Sequence, residues 1–117
     1  MSEEAVPPKV QQMFLRYQQL QQQLQLVQAR KRQIQLELAE VENALKELEK
    51  LGDDAPIYKS VGSLLIRVDK ASVMKELEDR REFLNLRLKS VEREEERAQQ
   101  QLEELEPKLR RALGARG

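Results

Sequence analysis

Residues Asp53–Asp69 read DDAPIYKSVGSLLIRVD, and they separate two long stretches of very different character. Ile57–Val61 and Leu64–Val68 are rich in β-branched residues, which suit a pleated strand. Gly62-Ser63 between them fits a two-residue turn with glycine first. That turn fixes the register: Val61 opposes Leu64, Lys59 opposes Ile66 and Ile57 opposes Val68. One face is then Ile57, Lys59, Val61, Leu64, Ile66 and Val68, nearly all apolar. The other carries Tyr58, Ser60, Leu65 and Arg67, with Tyr58 and Arg67 opposite each other and placed to stack. A lone two-stranded hairpin is marginal in water, and both its edges are open. Either this hairpin folds back onto its own flanking segments, or hairpins from other chains cover it.

Outward from the hairpin, the flanks carry apolar residues in alternating steps of three and four. Before it come Val10, Met13, Tyr17, Leu20, Leu24, Val27, Lys31, Ile34, Leu38, Val41, Leu45 and Leu48, where only Lys31 is polar. After it come Met74, Leu77, Arg81, Leu84, Leu88, Val91, Glu95, Ala98, Leu102, Leu105, Leu109 and Ala112, where Arg81 and Glu95 are the exceptions. Such a phase, held over six heptads on each side, predicts two coiled-coil helices. At 1.5 Å per residue, each would run roughly 60 Å. The spans expected are about 9–51 and 71–113, with the hairpin at about 56–69, all within one unit of 1–117. Pro7-Pro8 and Gly52 bound the first helix, and Asp69 or Ser72 can cap the second. Pro107 lacks an N–H and predicts a kink or an early end near Leu105.

The fold class is therefore mainly α: a long antiparallel coiled-coil hairpin with a small β-hairpin between its helices. If Leu48 faces Met74, Lys31 and Glu95 fall in neighbouring layers. They either pair across the seam and set its register or turn their heads separately to water.

Composition narrows the function classes. The chain has 117 residues, 21 basic and 21 acidic, with no His, Cys or Trp. Without His and Cys it lacks the commonest general base, thiol nucleophiles and thiolate zinc ligands. The four glycines are isolated, so no phosphate-cradling loop exists, and Glu94-Glu95-Glu96 lie on a helix with no pocket to desolvate them. The expectation is a protein that is not an enzyme and needs no cofactor or metal. A zero net charge argues against a nucleic-acid partner, and no apolar run is long enough to span a membrane. The start, MSEEAVPPKV, is no signal peptide, so a cytoplasmic location is expected. Charge is nonetheless uneven. Ala5–Leu36 carries five basic residues and no acid, and the last eleven residues carry Lys108, Arg110, Arg111 and Arg116 without one.

Met13-Phe14-Leu15 sets three apolar residues in a row, of which only Met13 can enter the seam. Phe14 and Leu15 must project, as must Leu113 on the second helix. Persistent exposed apolar groups mark a contact surface, although these could also wrap the flank of the seam or pair two copies.

The order of parts, and above all Ile57-Tyr58-Lys59-Ser60-Val61-Gly62-Ser63-Leu64-Leu65 after Asp53-Asp54, resembles the β subunits of prefoldin, in their archaeal form. The resemblance covers nearly the whole chain. It implies an ATP-independent chaperone of two α and four β subunits, whose hairpins build the body and whose coiled coils hold unfolded proteins for a group II chaperonin. It further implies an assembly role for Ile57, Tyr58, Val61, Leu64, Leu65, Ile66 and Val68. Val10, Met13, Phe14, Leu15, Leu109 and Leu113 become candidate client contacts, and Lys108, Arg110, Arg111 and Arg116 a possible chaperonin contact. The partners implied are an α-type prefoldin subunit, unfolded clients and the chaperonin. On physical grounds alone a structural tether binding one folded partner stands close beside this reading.

Overall fold

The computed structural model describes residues 6–114. In chain order it contains helix α1 (Pro8–Glu49), strands β1 (Ile57–Val61) and β2 (Leu64–Val68), and helix α2 (Lys70–Gly114). The expected fold class is the one observed. Two compact units divide the chain: one of 1–31 with 90–117, the other of 32–89.

In the 32–89 unit the stripe Ile34, Leu38, Val41, Leu45 and Leu48 is buried together with Leu84. Arg80 closes the flank by an ion pair with Glu37. Arg81, the polar break in the second heptad run, stays exposed, so its charge costs no desolvation. α1 ends two residues earlier than expected. Its final turn tightens, with Lys50 N–H donating to Glu47 C=O and Leu51 N–H to Leu48 C=O, and a further turn closes from Ala55 N–H to Gly52 C=O.

Asp69 rather than Ser72 caps α2, its carboxylate accepting the Ser72 N–H at 3.1 Å. Hydrogen bonding to Ser72 holds the Asp69 carboxyl below the usual carboxylate range. Between the helices, β1 and β2 pair antiparallel in the register the sequence predicts, Ile57 with Val68 through Val61 with Leu64. Gly62 has φ +59°, the value that the first position of a II′ turn needs and that side-chain-bearing residues avoid.

In the unit of 1–31 and 90–117, Val10, Leu20 and Val27 on α1 and Val91, Ala98 and Leu109 on α2 are buried. Lys31 and Glu95 meet rather than turning apart. Lys31 Nζ donates to Glu95 Oε1 at 2.7 Å, with the two side chains only 26% and 13% exposed. Arg30 and Glu94 add a neighbouring ion pair at 3.4 Å. α2 passes through Pro107 and continues to Gly114, so the expected early end does not occur. Pro107 and Glu103 both face water, so the carbonyl that loses its partner is solvated. Beyond the proline, buried Leu109 and half-buried Ala112 still hold the helix in the seam.

The hydrogen bond from Lys31, helped by Gln28, holds Glu95 below its ordinary value of 4.5 against the opposing effect of burial. A depressed folded pKa contributes stability that is present above the unfolded value and lost as pH falls through the folded one. Glu95→Gln is expected to destabilise the chain by about 1–2 kcal/mol at neutral pH, between the cost of losing a surface pair and a fully buried one, because this pair still touches water. The variant should also flatten the acid limb of stability as pH falls through and below the ordinary carboxylate value of 4.5. Lys31→Leu with Glu95→Leu should restore or exceed the original stability. Urea unfolding of the three proteins at pH 7 and pH 4 checks both outcomes.

Candidate functional site

Among the described residues, apart from Leu26, Leu36, Leu51, Phe83 and Leu86, the exposed large apolar side chains gather on two surfaces, and neither belongs to the coiled-coil seam. The first is the β-hairpin. Only its base is sheltered: Ile57 and Val68 are half-buried, whereas Tyr58, Val61, Leu64, Leu65 and Ile66 are exposed, Leu65 at 72%. The alternative in which the hairpin folds back onto its own helices is therefore not what forms. The two-residue turn makes Val61 and Leu64 a hydrogen-bonded pair. On the alternate rungs, Tyr58 with Arg67 and Ser60 with Leu65, the backbone N–H and C=O groups consequently point out from the ribbon. This sheet thus offers both apolar side chains and free strand edges.

Several contacts aim the hairpin. Lys59 on β1 reaches Glu76 on α2 at 2.7 Å. Lys70, in the first turn of α2, donates to the Leu51 carbonyl at 2.7 Å and lies 3.8 Å from Asp53. A cation in a helix's first turn opposes the macrodipole, and that mismatch was the one hint in the sequence that Lys70 serves another element. An open hollow of about 650 Å³ beneath the strands is lined by Asp53, Asp54, Lys59, Arg67, Asp69 and Glu76. Of its charged groups, Lys59 and Glu76 pair with each other, Asp53 lies beside Lys70 and Asp69 caps α2. Tyr58 and Arg67 stand opposite as expected. The cation–π contacts found among the described residues lie elsewhere, where Arg80 and Arg87 sit 5.4 and 6.0 Å from the exposed Phe83 ring.

The second surface is in the unit that carries both chain ends. Phe14, Leu15 and Leu113 are exposed, Leu15 at 57%, and with Val6 and Gln11 they line an open apolar groove of about 530 Å³. Gln11 donates to the Val6 carbonyl at 2.8 Å and fixes the groove's edge; neither residue was singled out from sequence. The six expected tip residues separate into two sets. Phe14, Leu15 and Leu113 project, Met13 is half-buried, and Val10 and Leu109 are buried in the seam. Those last two would meet a partner only if the helices part. Lys108, Arg110 and Arg111 are exposed, with Arg110 paired to Glu106 one turn back, and Arg116 lies outside the described residues.

These features match known proteins closely. A family model described as "Prefoldin subunit" covers residues 11–116. A prefoldin subunit beta of Methanothrix thermoacetophila is 49% identical over 109 residues, 93% of this chain and 91% of the relative. This chain belongs to the prefoldin subunit family. A second prefoldin subunit beta, from Thermococcus gammatolerans, is 44% identical over 92% of each chain. The crystal structure of the prefoldin beta subunit from Thermococcus strain KS-1 superposes with a TM-score of 0.85 at 42% identity, covering 94% of this chain and 96% of that one. The beta2 subunit of the same strain shares the fold at 21% identity, with a TM-score of 0.69 over 77% of this chain and 96% of that one. Prefoldin is a chaperone family, so the open hairpin and the open groove are surfaces of a chaperone subunit. No helix among the described residues is long and apolar enough to cross a membrane.

Proposed function

We propose that this chain is the β-type subunit of an ATP-independent holdase, working in the cytoplasm without a cofactor and with no catalytic role. The observation that carries the reading is the pairing of two uncovered apolar surfaces with different geometry on one prefoldin-type chain. The hairpin presents strand edges and a flat apolar face, which suit permanent pairing with other strands. In this reading Ile57, Tyr58, Val61, Leu64, Leu65, Ile66 and Val68 join hairpins of other β-type chains and of an α-type prefoldin subunit in an α2β4 hexamer. The groove of Phe14, Leu15 and Leu113 is shallow and apolar and has few fixed polar groups, so it suits varied unfolded segments rather than one shaped ligand.

Met13, Val10 and Leu109 join the client contact when the end of the seam opens. A narrow two-stripe core makes that end the easiest part to open. Lys108, Arg110, Arg111 and Arg116 form the surface that docks on a group II chaperonin, to which the client is passed. Charge there accelerates encounter and is screened by salt. Neutralising these four groups is expected to slow chaperonin association several-fold at low salt; unchanged kinetics would remove them from this role.

Holdase activity is read from the light scattering of an aggregation-prone protein diluted out of denaturant without nucleotide. The intact chain, assembled with an α-type subunit, is expected to suppress scattering. A version trimmed of residues 1–15 and 106–117 should assemble to the corresponding mass and fail to suppress it. An intact assembly of the right mass that leaves aggregation unchanged would contradict the holdase and favour a structural tether.

A further inference from the structure

The end of the coiled coil has two unlike flanks. Phe14 and Leu113 come together with Leu15 on one side, where they line the apolar groove. Arg16 and Lys108 come together on the other, in a hollow they share with Leu20, Gln101, Glu104 and Leu105. Lys9 lies seven residues before Arg16, hence two turns away on the same face of α1. Among described residues 6–17 and 105–114 there are five cations, Lys9, Arg16, Lys108, Arg110 and Arg111. The same stretches hold one carboxylate, Glu106, which Arg110 already engages. Glu103 and Glu104 begin the acidic part of α2, and Glu104 shares the hollow with Arg16 and Lys108, whose two cations outnumber its one carboxylate. On α1 the contrast is sharper: from Pro8 to Lys31 there is no carboxylate at all.

We propose that this end selects client segments that combine apolar side chains with acidic ones. The inference rests on the holdase reading above and adds the class of segment held. An extended segment rises about 3.3 Å per residue and alternates its side chains between two sides. Six or seven residues therefore cross a pair of helices each about 10 Å wide. A segment laid across the end places apolar side chains against Phe14, Leu15 and Leu113. It carries Asp or Glu to Lys9, Arg16 and Lys108 on the far flank. Continuing along α1, such a segment meets only Gln, apolar and basic side chains and no like charge. A lysine-rich segment with the same apolar residues gains the groove contact but is repelled by the flank. Charge thus discriminates between clients that the groove alone would hold equally.

The test uses three dye-labelled unstructured peptides with identical apolar residues, in which the intervening positions are Glu, Ser or Lys. Binding to the full chain assembled with its α-type subunit is read by fluorescence anisotropy. The Glu peptide is expected to bind about tenfold more tightly than the Lys peptide at low ionic strength, with Ser between. The gap should close at about 1 M salt, where the screening length falls to roughly 3 Å. Lys9→Gln with Arg16→Gln and Lys108→Gln, all at exposed positions, should remove the gap while the Ser peptide keeps its affinity. Equal affinities for the Glu and Lys peptides would overturn the charge preference and leave the holdase standing. Failure of all three to bind an assembly of the right mass would overturn both.

Discussion

A two-stranded ribbon cannot satisfy itself. It has two edges and no interior strand, so half of its backbone groups point outward whatever its sequence. In this chain the constraint is sharpened by side chains, since Val61, Leu64, Leu65 and Ile66 are all exposed as well. The helices offer no remedy. Their apolar stripes are already used on each other, and only Ile57 and Val68 at the base of the ribbon are partly sheltered. Contacts from Lys59 to Glu76 and from Lys70 to the Leu51 carbonyl tie β1 and the end of α1 to α2, and still leave the ribbon's apolar residues exposed. Everything proposed about assembly follows from that geometry.

Within each unit the helical seam has the opposite character, being filled by its own side chains and loose in what it specifies. A seam of Leu and Val would tolerate sliding by a heptad, because one layer resembles the next. Lys31 and Glu95 remove that freedom, since a slip would strand each charge in an apolar layer. The pair lies in the same unit as the open groove. The seam beyond it, between Val10 and Leu109, is the stretch that would have to open for client contact, and opening there need not disturb the register.

Much of this was legible in the sequence because local chemistry decided it. Gly62-Ser63 set the hairpin register, and the heptad phase identified every buried apolar residue and the projecting Phe14, Leu15 and Leu113. The points left open or missed share a physical cause: local propensity leaves the outcome to surroundings. Pro107 predicts a kink or an early end near Leu105; the early end does not occur, because a proline on the solvent side leaves the Glu103 carbonyl to water while Leu109 keeps the helix docked. Asp69 and Ser72 both carry a capping oxygen, and only the path of the chain leaving β2 chooses between them. Lys70 and the Gln11–Val6 contact depend on segments folding back, which spacing alone does not convey. The split of the six tip residues into projecting and buried sets followed from the heptad positions and needed only to be drawn from them.

The central claim is that the ribbon's outward backbone groups are satisfied by strands of other chains. Hydrogen–deuterium exchange resolved to single amides, on the chain alone and on the assembly with an α-type subunit, tests it most directly. The outward N–H groups of Tyr58, Ser60, Leu65 and Arg67 are predicted to exchange freely in the isolated chain and to slow by at least about a hundredfold in the assembly. Equal exchange in both states, in an assembly of confirmed mass, would show that the chains are joined elsewhere and would contradict the account.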